Sequence, residues 1–206
     1  MPGDDAAASE RKALWILAGV IVGEGYPVVI SLLPDPAGFV RHLGFAPGAA
    51  GTWFAWALAS AVAVAYASSC ATIPVVREHM IRPGVIKAVA VLAAVMAAVL
   101  EEVIFRKWVM DDLDRRGVGA VLQVLASGAT FGLVHVVWGL MGGLRAAIQS
   151  MVWTAVLGAA LGIVYLVSGR SLAPCIAAHF LITALIEPGL VIAALRGQMR
   201  GTATGR

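Results

Sequence analysis

The segment VIKAVAVLAAVMAAVLEEVIFRKWVM, residues 85–110, decides the fold. Residues 85–100 are apolar except for one lysine, and as a helix they cover only about 24 Å at about 1.5 Å per residue. A hydrocarbon core is about 30 Å thick, so a helix that crosses it must continue to about residue 110. The sequence therefore predicts that Glu101 and Glu102 lie inside the membrane.

The composition of the whole chain agrees with a membrane location. Hydrophobic residues make up 60% of the 206 residues and charged residues 13%, and the mean hydropathy is +0.89. This leaves too little polar surface to cover a soluble globule. The net charge of +3 comes from basic residues scattered over loops and tails without interleaved aromatic residues, so we expect a lipid bilayer and no nucleic acid as partner.

Six apolar stretches predict an all-α, polytopic membrane helix bundle. Residues 43–76, 117–144 and 146–169 contain no Asp, Glu, Lys or Arg. We expect spans at residues 13–33, 53–76, 85–110, 118–137, 146–168 and 172–195. Residues 13–195 then form one domain, with disordered tails at 1–12 and 196–206. A small excess of lysine and arginine beside the tails favours a cytoplasmic position for both.

The charges inside the third span differ in their local partners. Glu102 and Arg106 are four residues apart with the glutamate first, the favourable order for a helical ion pair. Glu101 is rotated by about 100° from Glu102 and has no charged partner on its own helix. Because an ionised group inside a membrane is unfavourable unless it is paired, we expect its partners on other helices.

Two of the four histidines lie within predicted spans and are candidates for that partner. His135 follows FGLV in the fourth span and His179 follows CIAA in the last. Helical rise places His135 within roughly 6 Å of the depth of Glu101, and His179 shallower by roughly 10 Å. A shared site therefore requires an irregular start to the last helix. A glutamate pair and two histidines on separate spans predict a functional site.

These residues carry a resemblance to a known family. The motifs are E-E-x-x-x-R, F-x-x-x-H and a late histidine preceded by GRSLAPCIAA, and they contain Glu101, Glu102, Arg106, Phe131, His135 and His179. In this order they resemble the CPBP family of intramembrane proteases, which includes the CAAX prenyl endopeptidases of the Rce type and is also called the ABI domain. The resemblance covers residues 85–195 and implies a four-helix catalytic core there.

The resemblance also implies an activity and a role for each residue. The protein is expected to be an endopeptidase acting on a membrane-associated or lipidated protein or peptide. Glu101 is the expected general base, His135 holds the attacking water and His179 stabilises the oxyanion. Glu102 and Arg106 position the site. The family usually has Asn or Asp four residues after the last histidine, whereas this chain has Thr183, whose hydroxyl donates one hydrogen bond.

Two mechanisms remain open at this stage. Glu101, His135 and His179 are also suitable zinc ligands with a fourth position for water, so the site is either a metal site or a glutamate site without a cofactor. The chain contains no H-E-x-x-H motif, in which two histidines of one helix bind zinc and the glutamate between them is the base, so those roles cannot be assigned by that motif here.

Two other functions are compatible with these residues. Thr183 favours a catalytically silent scaffold or an immunity-type binding protein of the same fold. A transporter also places glutamate and histidine within spans, but no repeat relates the two halves of this chain. The abundance of alanine and glycine favours a bacterial cell membrane as location, which makes a prenylated CAAX substrate less expected.

Overall fold

The structure, a computed structural model, describes residues 2–139 and 142–199, and these residues form helices and no strand. The helices in chain order are α1 (Pro2–Leu32), α2 (Pro36–His42), α3 (Trp53–Cys70), α4 (Pro74–His79), α5 (Val85–Glu102), a π-helical segment (Val103–Met110), α6 (Asp111–Arg115), α7 (Ala120–Val134), α8 (Val136–Gly139), α9 (Leu144–Val167) and α10 (Ala173–Leu195). Within the described part of the chain, six helical stretches are long and apolar enough to cross a membrane. This confirms the predicted all-α, multi-pass membrane bundle.

Two predicted boundaries differ from the structure. Residues 2–12 continue α1 instead of forming a disordered tail, because DDAAASERK is rich in good helix formers. The second span ends at Cys70 rather than at residue 76. Pro74 has no amide hydrogen to continue the helix, and the residue before it, Ile73, is extended with φ −83° and ψ 116°. The predicted tail at 196–206 falls mostly outside the described residues.

The helices pack through small residues around α10, most of whose side chains are buried. Helix α10 contacts α1, α3, α4, α5 and α9. One face of α3 contributes a row of buried alanines at intervals of four residues, and α5 contributes a second set: Ala55, Ala59, Ala63 and Ala67, and Ala90, Ala93, Ala94, Ala97 and Ala98. Small side chains let helices approach closely in a membrane, where van der Waals contact drives association.

A glycine seam joins α7 to α9. A Cβ added at Gly158 would lie 2.8 Å from Cβ of Phe131 and 3.1 Å from Cα of Gly128. At Gly162, one turn further along α9, the nearest atom would be Sδ of Met110 at 3.5 Å, which is ordinary contact. The G-x-x-x-G pair therefore serves helix packing inside one chain, and Gly158 is the member that requires a glycine.

The start of α10 is buried inside the protein. Leu172 and Ala173 are fully buried, and Ser171 donates a hydrogen bond to the Ala49 carbonyl at 2.6 Å. Arg170, which has a positive φ of 67°, reaches Oδ1 of Asp111 at 2.7 Å. These contacts hold the loop before α10 against α6 and the α2–α3 loop. Because α10 begins below the surface of the bundle, His179 lies deeper than counting residues from the loop predicts.

A proline interrupts the hydrogen bonding of α10 near its middle. Pro188 has no amide hydrogen, so the carbonyl of Ala184, four residues earlier, loses its helical donor. The Lys87 ammonium group on α5 donates to this carbonyl at 2.6 Å and to the Leu185 carbonyl at 3.4 Å. Lysine therefore replaces the missing amide and joins α5 to α10.

Candidate active site

The two adjacent glutamates of α5 have different surroundings. Glu102 is fully buried, and its Oε2 lies 2.9 Å from Nε of Arg106, which is also fully buried. Its Oε1 lies 2.8 Å from Nδ1 of His179. The Glu102–Arg106 ion pair agrees with the i, i+4 spacing, whereas the contact with His179 was not expected from the sequence. Glu102 thus links the α5 motif to α10.

Arg106 lies in the π-helical segment that follows Glu102. Its guanidinium donates to the Ser127 hydroxyl on α7 at 3.2 Å, and that hydroxyl donates to the Phe105 carbonyl at 3.1 Å. π-Helical turns are rare and frequently occur at functional sites. Here the segment carries a buried arginine that connects two helices and supplies the positive charge beside Glu102.

Glu101 points towards both histidines. Its Oε2 lies 3.8 Å from Nε2 of His135 and 3.7 Å from Nε2 of His179. This oxygen is buried, and no described residue donates a hydrogen bond to it. Separations of this size are too long for direct hydrogen bonds and suit groups that are bridged by a water. The structure therefore brings together the three side chains that the sequence singled out.

His135 is oriented by the backbone of its own helix. It is the C-cap residue of α7, at the point where that helix ends and α8 begins. Its Nδ1 lies 2.7 Å from the Phe131 carbonyl oxygen. A carbonyl only accepts, so Nδ1 carries the hydrogen. In the neutral imidazole Nε2 then has a free lone pair directed towards Glu101, which suits it to accept a hydrogen bond from water.

Phe131 explains the spacing of the F-x-x-x-H motif. Its ring stacks on the His135 imidazole with 4.6 Å between centroids and meets the His179 ring edge-on at 5.6 Å. The Arg106 guanidinium lies 5.5 Å from the centre of the same ring. One buried aromatic side chain thus contacts both histidines and the arginine, and it is itself held by Gly158.

The site opens into a cavity of about 130 Å³ within the bundle. This is several times the volume that one water needs. The lining is mainly apolar and includes Glu101, His135, His179 and Thr183, the last lying one helical turn after His179. From there the cavity extends past Leu190 and Ala194 towards the end of α10.

Two further carboxylates line the cavity and were missed by the sequence reasoning. They are Glu24 on α1 and Glu187 on α10. Both fall within predicted spans, where an ionisable residue is a functional candidate by default. The signal was therefore present in the sequence, but neither glutamate belongs to the motifs that carry the family resemblance.

Two histidines and a glutamate are donor groups of the kind that bind zinc. Zinc requires nitrogen and oxygen ligands at about 2.0–2.2 Å in near-tetrahedral array. Among the residues that the structure describes, no group of three His, Cys, Asp or Glu side chains is arranged to hold a metal ion. Glu101, His135 and His179 are therefore not arranged as a preformed metal site in this structure.

Comparison with known proteins identifies a family. The sequence model of the type II CAAX prenyl endopeptidase Rce1-like family matches residues 83–185, half of the chain. The match includes Glu101, His135 and His179. No curated protein and no solved structure matches the chain.

Proposed function

Because the chain belongs to the Rce1-like family of type II CAAX prenyl endopeptidases, we propose that it is an intramembrane endopeptidase. Its substrate is a membrane-associated or lipidated protein or peptide, and one carboxylate activates the attacking water. The observation that carries this proposal is the position of the Glu101 carboxylate, with Oε2 at 3.8 Å from Nε2 of His135 and 3.7 Å from Nε2 of His179 beside a mainly apolar cavity.

The first step is the attack of water on the peptide carbonyl. A water between Glu101 and His135 donates hydrogen bonds to Oε2 and to Nε2, two acceptors that orient its lone pair towards the substrate. As the bond from the water oxygen to the carbonyl carbon forms, Glu101 takes a proton and the carbonyl oxygen becomes an oxyanion. Glu101 then delivers that proton to the amide nitrogen and the carbon–nitrogen bond breaks, which gives a carboxylic acid and an amine. The acid passes its proton to the amine, and the products leave as a carboxylate and an ammonium group.

His179 stabilises the oxyanion. Its Nδ1 donates to Oε1 of Glu102 at 2.8 Å, because a carboxylate only accepts. An imidazole that also carries a proton on Nε2 has a second donor there, which is available to the oxyanion. Arg106 balances the charge of Glu102 at 2.9 Å. Glu102 and Arg106 are therefore positioning residues that act through His179.

Thr183 is the proposed assistant to His179. It lies one helical turn further along α10 and lines the same cavity, beside the space in which we place the oxyanion. A hydroxyl is shorter than the Asn or Asp side chain usual in the family and donates only one hydrogen bond. We therefore expect a smaller contribution from Thr183 than from His179.

The test is cleavage of a library of membrane-inserted peptides by the purified full chain in lipid nanodiscs. We expect Glu101→Gln, His135→Ala and His179→Ala to lower kcat/KM by about 10²–10⁴-fold, the range for general acid–base groups, and Thr183→Val by less. The matched controls are Glu78→Gln and His42→Ala, exposed residues that should leave cleavage unchanged.

Three outcomes of this test would contradict the proposal. Equal activity of wild type and Glu101→Gln would remove the proposed base. Loss of activity on chelation, restored by zinc, would replace the glutamate mechanism with a metal mechanism. An absence of cleavage by the wild type across the library would favour the alternative function, a catalytically silent protein that binds a peptide without cutting it.

A further inference from the structure

Two carboxylates besides Glu101 line the cavity. Glu24 on α1 and Glu187 on α10 line the same space as Glu101. The Oε2 atoms of both are buried and receive no hydrogen bond from any described residue. A buried carboxylate oxygen without a hydrogen-bond donor is unfavourable, and a bound ligand can supply the missing donor. The cavity therefore contains two acceptors that the proposed mechanism does not use.

The cavity also lacks a resident counter-charge for these two groups. No lysine or arginine is found among its lining residues within the described ranges. The two histidines of the lining face Glu101. Lys87 approaches α10 nearby but donates to the carbonyls of Ala184 and Leu185. This part of the cavity is therefore electrostatically suited to a cation that comes from outside the chain.

The position of Glu187 sets its distance from the scissile bond. His179, Thr183 and Glu187 follow one another at intervals of four residues and line the cavity together, so they lie on one face of α10. Glu187 is two turns, about 12 Å, from His179. An extended peptide advances about 3.3 Å per residue, so a group bound at Glu187 is about two to four residues from the scissile bond.

We propose that Glu24 and Glu187 form a cation subsite that binds a lysine or arginine side chain of the substrate. The assignment of this ligand to a substrate rests on the proposed function. A charged donor satisfies both carboxylates through charge-assisted hydrogen bonds. An apolar side chain in the same place leaves two buried carboxylates without partners and is rejected. The subsite thus selects basic residues inside a mainly apolar cavity.

Binding is tested without catalysis in the Glu101→Gln chain in neutral-lipid nanodiscs. The probes are n-butylammonium, which is the lysine side chain as a free molecule, and n-butanol as its neutral match. We expect n-butylammonium to raise Tm and n-butanol not to do so. Adding Glu24→Gln with Glu187→Gln should weaken the apparent affinity for n-butylammonium at least about tenfold, whereas Glu78→Gln, at an exposed position, should not. Equal binding of the two probes, or equal binding by all variants, would overturn the subsite.

Cleavage supplies the second readout. Peptides that carry lysine at one position near the scissile bond are compared with the same peptides carrying norleucine. Wild type should prefer lysine at least about tenfold in kcat/KM at a position about two to four residues from that bond. Glu187→Gln should lose the preference and still cleave the norleucine peptide, and Glu187→Asp should keep part of it.

The two readouts separate the subsite from the peptidase. Glutamate-dependent binding of n-butylammonium without cleavage of any peptide would support the subsite and contradict the proposed function. Cleavage that requires Glu101 but shows the same lysine preference in wild type and Glu187→Gln would support the peptidase and overturn the subsite.

Discussion

Glu101 and Glu102 are adjacent in the chain, yet the two sides of α5 on which they lie are organised differently. On the Glu102 side, the carboxylate is fully buried and contacts Arg106 and His179 at 2.9 and 2.8 Å. On the Glu101 side, the carboxylate is 16% exposed and faces a cavity, with both histidines 3.7–3.8 Å away. The Glu102 side pairs its charge within the protein, while the Glu101 side leaves the proposed base facing a cavity.

Glu101→Gln removes the base and should have the largest effect. We expect kcat/KM to fall by about 10³-fold, within the range for a general base. Stability should not decrease, because neutralising a buried carboxylate that accepts no hydrogen bond from the described residues removes a desolvation penalty. The measurements are peptide cleavage and thermal unfolding in nanodiscs. A large loss of stability would show that Glu101 is a structural residue like its neighbour.

Glu102→Gln should instead destabilise the protein. It leaves the Arg106 guanidinium buried without its counter-charge, which costs about 3–5 kcal/mol. Adding Arg106→Met removes that charge, so the double variant should regain most of the lost stability, a strongly non-additive result. The matched control is Asp112→Asn, which breaks the exposed pairs with Arg115 and Arg116 and should leave stability nearly unchanged, because exposed ion pairs contribute little.

Additive losses in Glu102→Gln and Arg106→Met would contradict the coupling between the two residues. Measuring kcat distinguishes a positioning role of Glu102 and Arg106 from a purely structural one. In the double variant, restored stability should be accompanied by a low kcat, because His179 still lacks the carboxylate beside its Nδ1.

The difference between the two glutamates could be predicted in part from the sequence. The i, i+4 spacing correctly paired Glu102 with Arg106 and left Glu101 to find partners elsewhere. The number of spans and the all-α class also followed from apolar length. The bond from Glu102 to His179 could not be predicted, because it depends on the rotation of α10 against α5. The single-domain organisation and the bacterial location stay predictions.

The depth of His179 shows where counting residues fails. Helical rise assumes that each span begins at the membrane surface, but Leu172 and Ala173 at the start of α10 are fully buried. Arg170 and Ser171 hold that start through Asp111 and Ala49. These contacts join residues far apart in the chain, so they cannot be predicted from a local sequence pattern. Glu24 and Glu187 were missed for a different reason: both are visible as charges within predicted spans, but neither belongs to the motifs that carry the family resemblance.

Gly158→Ala tests how the histidines on the Glu101 side are held. The added methyl would lie 2.8 Å from Cβ of Phe131, whose ring contacts His135 and His179. We expect a loss of about 1–3 kcal/mol from overpacking and a lower kcat because both imidazoles shift. Gly162→Ala is the matched control, since its methyl would make ordinary contact at 3.5 Å. Equal behaviour of the two variants would contradict the proposed role of the seam.

Lys87→Met should have the smallest effect and concerns α10, the helix that carries both His179 and Glu187. The change leaves the Ala184 carbonyl without the donor that replaces the amide missing at Pro188, and the expected loss is about 1 kcal/mol because the site is only partly buried. Pro188→Ala restores an amide at position 188, so in that background the helix supplies its own hydrogen bond and Lys87→Met should be nearly neutral. Thermal unfolding of the four proteins measures this coupling. If Lys87→Met costs as much with alanine at position 188 as with proline, the lysine stabilises the protein through something other than the interrupted hydrogen bond of α10.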